Sequence, residues 1–228
     1  MNFRIGARVR PARRKMSDRL PSPERLRGLE GHLQSRIRGQ GHLVPRVAAT
    51  LIRGEMGLAP AGRPRASFLF IGPTGTGKTE LVLCFSAYLF GPGRVSRFDM
   101  SEYQNSASVE RLLGLDRTDP GLLGRAIGGA TDGTLLFDEM DKAHPRVLDL
   151  FLQMLDAGRI TLATGETKSL ENFYLVFTSN LGAAEAMRME QSSWASIEAA
   201  VLRRVAQEMR PELVGRIDEK VVFAKLSP

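Results

Sequence analysis

Apolar residues follow two rhythms along this chain, and their alternation predicts the order of its elements. Short unbroken runs at residues 68–71, 134–137 and 173–177 read as strands buried on both faces. Residues 95–99 and 220–223 read as two more, giving about five strands. Elsewhere the spacing is helical, as in Leu26, Leu29 and Leu33 within residues 24–37, or Val147, Leu148, Phe151, Leu152 and Leu155 within residues 145–155. Further helices are expected at about 42–56, 80–90, 181–189 and 193–209, a hairpin over 159–170, and small helical pieces, including 121–127, in the Gly-rich section 104–129. Strands alternating with helices imply an α/β fold, a parallel sheet of about five strands with helices on both faces.

One stretch organises this order. Residues 68–79 read FLFIGPTGTGKT, an apolar strand running into a glycine-rich turn and then a helix. Gly72, Gly77, Lys78 and Thr79 satisfy G-x-x-x-x-G-K-[ST], with Pro73, Thr74, Gly75 and Thr76 as the intervening positions and Glu80 following. Glycines let the backbone curl around a polyphosphate so that successive N–H groups and the positive helix end face it. Lys78 is then expected on the β- and γ-phosphates and the Thr79 hydroxyl on Mg2+. A second component is the strand that ends in Asp138-Glu139. Parallel strands end at one edge, so these acids belong beside the loop, Asp138 as a Mg2+ ligand and Glu139 to orient or deprotonate an attacking water. Asn180, after its own buried strand, is either a polar contact to the γ-phosphate or water, or a cap for the next helix.

Charge and cysteine content change the picture little. The net charge of +7 suggests nucleic acid until it is located: residues 1–15 carry six basic side chains and no acid, leaving 26 basic against 25 acidic elsewhere. A basic face is therefore not indicated, and nucleic acid is not an expected partner. Residues 1–22 read as a basic tail and linker, and 23–228 as one nucleotide-binding unit including two lead-in helices. Cys84 is the one cysteine and reads as a small buried thiol on a helix face. With His32, His42 and His144 it makes no zinc pattern. No apolar run matches a bilayer span.

The chain resembles the second AAA+ module of Clp-type unfoldases and disaggregases. The similar runs are IRGQ at Ile37, SFLFIGPTGTGKTEL at Ser67, RFDMSEY at Arg97, LLFDEMDKAHPRVLDLFLQMLDAGRIT at Leu135, VFTSNLG at Val176 and RPELVGRIDEKVVF at Arg210. The resemblance implies a Mg2+-dependent, cytoplasmic ATPase that binds ATP and ADP. In it Gly72 to Thr79 form Walker A, Asp138 and Glu139 Walker B, and Asn180 sensor 1, while Arg216 is an arginine finger offered to a neighbouring subunit. It also implies that Ile37 and the Gly39-Gln40 turn lie near adenine, that the partner is a protein to be remodelled, and that a homo-oligomeric ring, a hexamer, forms once a lid is supplied.

Two departures accompany the match. The family carries an aromatic pore loop between the second strand and Walker B, whereas residues 114–133 hold none, with Leu122 and Leu123 as the nearest substitute. The family also continues into a helical lid where this sequence reaches Pro228, so a large subdomain without its lid is expected. These features support a second reading, an ATP-dependent switch or adaptor that does not thread polypeptide. A third, a nucleic-acid remodelling ATPase, rests on the basic tail alone.

Overall fold

The computed structural model describes residues 22–189 and 191–225, so the basic tail at 1–15 lies outside the described residues. Helix α1 (Pro23–Arg36) starts where Pro23 fills the first helical position and the Ser22 hydroxyl accepts the Arg25 N–H. Helix α2 (Val44–Glu55) follows, and both lead into strand β1 (Ala66–Ile71). Helix α3 (Lys78–Phe90) returns the chain to β2 (Val95–Asp99), and two short helices, α4 (Ser108–Leu113) and α5 (Gly121–Gly128), bring it to β3 (Gly133–Asp138). Helix α6 (Pro145–Ala157) then precedes a small antiparallel hairpin of β4 (Arg159–Thr161) and β5 (Thr167–Ser169). Strand β6 (Phe173–Ser179), helices α7 (Ala183–Arg188), α8 (Trp194–Glu208) and α9 (Pro211–Arg216), and strand β7 (Glu219–Val222) complete the order.

Five strands form one parallel sheet in the order β2-β3-β6-β1-β7. The predicted α/β architecture and strand number hold. Because side chains alternate along a strand, the sheet divides its apolar residues between two cores. Phe68, Phe70, Leu136, Tyr174, Val176 and Val221 pack with α1, α2 and α3 on one face. Leu69, Ile71, Leu135, Phe137, Leu175, Phe177 and Val222 pack with α5, α6, α8 and α9 on the other. This two-sided burial explains why the central strands read as unbroken apolar runs. The hairpin also forms, as a separate two-stranded unit.

Helix α9 is the element that periodicity does not predict. Six residues are too short to repeat an apolar stripe, and Pro211 at its first position was the available signal.

Phe137 lies at the centre of the second core, fully buried, with ring centroids 5.4 Å from Phe98 and Phe177 and 4.7 Å from Phe151. Truncation there would leave a void that three rings cannot collapse into without leaving their own strands and helix. Phe137→Ala should therefore lower stability by about 3–5 kcal/mol, measured as a shift of the urea-unfolding midpoint.

Candidate nucleotide-binding site

The turn out of β1 depends on glycine at two kinds of position. Gly72, at φ 148°, lies so close to the chain after β7 that a Cβ would sit 2.8 Å from the Phe223 carbonyl oxygen. The same approach lets the Phe223 N–H bond the Ile71 carbonyl at 2.7 Å, tying the end of β1 to the end of β7. Gly75 and Gly77 sit at φ 79° and 93° with no protein atom within 4 Å of a Cβ, which leaves an open cradle bounded by backbone. Gly77 directly precedes α3, whose first residue is Lys78. The loop is braced from within, since the Thr76 hydroxyl donates to the Pro73 carbonyl at 2.8 Å.

It is also braced from below by Gln40, from the turn expected near adenine. Gln40 is fully buried; its amide donates to the carbonyls of Thr76 (3.2 Å) and Ala224 (2.7 Å), and its carbonyl accepts the Ala224 N–H (3.0 Å). Gln40 thus ties the loop to the segment after β7. Ile37 is buried in the first core with Leu33 and does not line the cleft.

The acids arrive by register. Phe137 pairs with Phe177, so Asp138 at the end of β3 lies beside Thr178 on β6, both on the α3 side of the sheet. The Thr178 hydroxyl donates to Asp138 Oδ1 at 2.9 Å and accepts the Glu139 N–H at 3.0 Å. Arg97 Nε donates to the other Asp138 oxygen. Glu139 adopts φ 55° and ψ 48°, the one non-glycine among the described residues with positive φ. That conformation costs about 1–3 kcal/mol and turns the side chain out of the strand's alternation into the cleft. There Glu139 accepts from Asn180 Nδ2 at 3.1 Å and from Lys142 Nζ at 2.6 Å.

Lys78 completes the arrangement. Its Nζ donates to the carbonyls of Gly72 (2.5 Å) and Pro73 (2.9 Å) and to Asn180 Oδ1 (3.0 Å). Burial pushes the ammonium down to about 8, against the attraction of Asp138, Glu139 and Asp141. Asn180 therefore joins the basic and acidic halves of the site. Asp99, at the end of β2 opposite Asp138, is held below the usual carboxylate range by the Ser101 hydroxyl and N–H.

Residues 74–80, Asp138, Glu139 and Asn180 thus line one open cleft of about 350 Å3, and Gly72 and Pro73 meet it through the carbonyls that hold Lys78. Arg216 does not join them. It ends α9, pairs with Asp156, donates to the Glu212 carbonyl at 3.2 Å, and lines a separate cavity with Ala66 and Ser67, at the opposite end of β1 from the glycine loop. Cys84 is half-buried on α3, and burial pushes its thiol up. Arg97, Asp99 and Thr178 were not anticipated in the cleft. Thr178 was accessible in principle, because it continues the alternation of Tyr174 and Val176 toward Asn180; Arg97 required knowledge of which strand pairs with β3.

The cleft suits a divalent cation of the Mg2+ kind, which is held by one or two carboxylates plus substrate phosphates and keeps several waters. Asp138 and the Thr79 hydroxyl are such donors on its wall, beside a cradle open at Gly75 and Gly77.

A five-stranded parallel sheet with this glycine loop, and with acids at the end of a neighbouring strand, defines a P-loop nucleotide-binding domain of AAA+ type. The chain belongs to the AAA domain family (Cdc48 subfamily), whose model matches residues 63–220. Heat shock protein 100 of Trypanosoma brucei brucei is 43% identical over 89% of this chain and 24% of its own length. Chaperone protein ClpB 2 of Nostoc sp. is 39% identical over the same shares. The structure of the S. cerevisiae Hsp104-ADP complex matches with a TM-score of 0.82 at 37% identity, over 90% of this chain and 36% of that one. This chain is therefore a Clp-type AAA+ module, spanning about a quarter of the length of the curated relatives it matches.

A lysine whose pKa falls on folding binds fewer protons folded than unfolded between its two values, here about 8 and 10.5. Stability should therefore rise with pH through that window, on account of Lys78. Lys78→Met should flatten the rise, and urea unfolding from pH 7.5 to 10.5 measures it; identical slopes in both proteins would contradict the buried ammonium.

Proposed function

We propose that the chain binds ATP with Mg2+ in this cleft, hydrolyses it, and couples the cycle to remodelling of a protein partner. The observation that carries this reading is the convergence of Lys78, Asp138, Glu139 and Asn180 around a glycine cradle, with Asn180 bonded to both Lys78 and Glu139. The names of its relatives, a chaperone and an ADP complex, support the same direction. Mg2+ would be held by Asp138 and Thr79 and would neutralise charge on the β- and γ-phosphates.

The loop N–H groups and the start of α3 receive the phosphates. Lys78 exchanges the carbonyls of Gly72 and Pro73 for β- and γ-phosphate oxygens, which restores full charge to a partly desolvated ammonium. Glu139 orients the attacking water and takes its proton, and Asn180 fixes the water or γ-phosphate between Lys78 and Glu139. Arg216, at the far end of β1, is out of reach of its own cleft and acts on the nucleotide of a neighbouring copy. This requires a homo-oligomeric ring, a hexamer, with a lid completing each subunit.

Glu139→Gln keeps the shape and the Asn180 contact but removes the base. It should bind ATP like the parent while losing about 100-fold or more of turnover; phosphate release and nucleotide titration read the two effects, and undiminished turnover would remove Glu139 from the role.

Turnover per subunit should climb with protein concentration, and Arg216→Ala should depress it by roughly a thousandfold. A rate independent of both concentration and Arg216 would instead favour the switch or adaptor reading. That alternative draws support from the segment between α4 and α5. Gly114 and Gly121 approach so closely there that a Cβ on either would fall within 2.5 Å of backbone, and Asp119 accepts the Leu115 and Gly121 N–H groups. The short closed loop presents Leu115 and no aromatic side chain. Unfolding of a tagged model substrate by the assembled protein would exclude the adaptor reading.

A further inference from the structure

Arg97 is a cation in the cleft to which the hydrolytic scheme assigns no task. It stands on the edge strand β2 opposite Leu136, and Asp138 lies two residues further along β3 on the same face. Such cross-strand diagonals lie within reach of long side chains. Arg97 Nε donates to Asp138 Oδ2 while Thr178 donates to Oδ1, so both oxygens of a carboxylate that is only 8% exposed are engaged. The Arg97 side chain is 59% exposed and lines the cleft with Lys78 and Thr79.

The other cations are committed elsewhere. Lys78 Nζ is turned onto Gly72, Pro73 and Asn180, and Lys142 Nζ onto Glu139. A buried carboxylate without a charged partner in direct contact is strongly unfavourable, and Arg97 is that partner for Asp138. Its exposed end also allows it to leave, since little of its own packing is lost when it does.

We propose that Arg97 is a positioning residue that stands in for the metal: it keeps the Asp138 carboxylate aligned while the cleft is free of nucleotide and yields it to Mg2+ on binding. The proposal rests on the reading of the cleft as an ATP and Mg2+ site. Two cations then compete for one carboxylate, so Arg97 weakens the help that Mg2+ gives to nucleotide binding. The pair also makes release of the metal and nucleotide easier, because the carboxylate regains a partner as they depart.

The test is equilibrium binding of a fluorescent, non-hydrolysable ATP analogue to the full 228-residue chain, once in EDTA and once in Mg2+. The ratio of the two dissociation constants is the factor by which metal tightens binding. Arg97→Gln should raise that factor roughly tenfold, the scale of one charge-assisted hydrogen bond. The same substitution in an Asp138→Asn background should leave the factor unchanged, because the contested carboxylate is gone. An unchanged or smaller factor in Arg97→Gln, or an equal rise in the Asp138→Asn background, would overturn the proposal. Absence of nucleotide binding by the parent, with and without metal, would instead overturn the ATP reading and this proposal with it.

Discussion

Parallel pairing of β1, β3 and β6 is the constraint on which the site depends. Because the three strands run the same way and in register, the glycine turn after Ile71, the acids after Phe137 and the amide after Ser179 emerge at one edge. Alternation within each strand then sorts side chains by face. Asp138 continues the row of Leu136, and Thr178 and Asn180 continue the row of Tyr174 and Val176, all on the side where α3 begins. A slip of one residue in the β3–β6 pairing would send Asp138 and Thr178 to opposite faces and separate them.

Within that frame the polar groups satisfy one another. Among the described residues no buried side-chain nitrogen or oxygen lacks a hydrogen-bond partner. Lys78 is bonded to its own loop, Asp138 to Arg97 and Thr178, and Glu139 to Asn180 and Lys142. Ligand binding at such a cleft is an exchange of partners rather than the filling of vacant ones, and affinity is the difference between two satisfied states. The weakened basicity of Lys78 belongs to the same account, since burial has taken more from its charge than the nearby acids restore.

The opposite end of the sheet is organised separately. Asp218 accepts the N–H and hydroxyl of Ser67 at 2.8 and 2.7 Å, fastening the chain after α9 to β1, and Lys220 Nζ bonds the carbonyls of Val214 and Ile217. Arg216 is carried on a short helix held at both ends, with its side chain at the surface beside Asp156. The single chain thus presents a cleft at one end of β1 and an anchored arginine at the other, and the proposed head-to-tail assembly rests on that separation.

Much of this was written in local pattern. The strands, most helices, the glycine loop, the paired acids and Asn180 are each a matter of neighbouring residues, because periodicity and turn chemistry act over a few positions. Contacts between residues far apart in the chain were not legible in this way. Gln40 under the loop, Thr178 between the two acids, Arg97 on Asp138 and the buried position of Ile37 follow from strand order and register, which place residues 36 to 184 positions apart within bonding distance. Helix α9 escaped for the converse reason: it is too short for a repeat, and it is held by Ser67 and Asp218 across the fold. Local sequence specified the glycine loop, the acids and Asn180, and the parallel sheet specified which further groups join them and which of them touch, since only strand pairing converts separation along the chain into proximity.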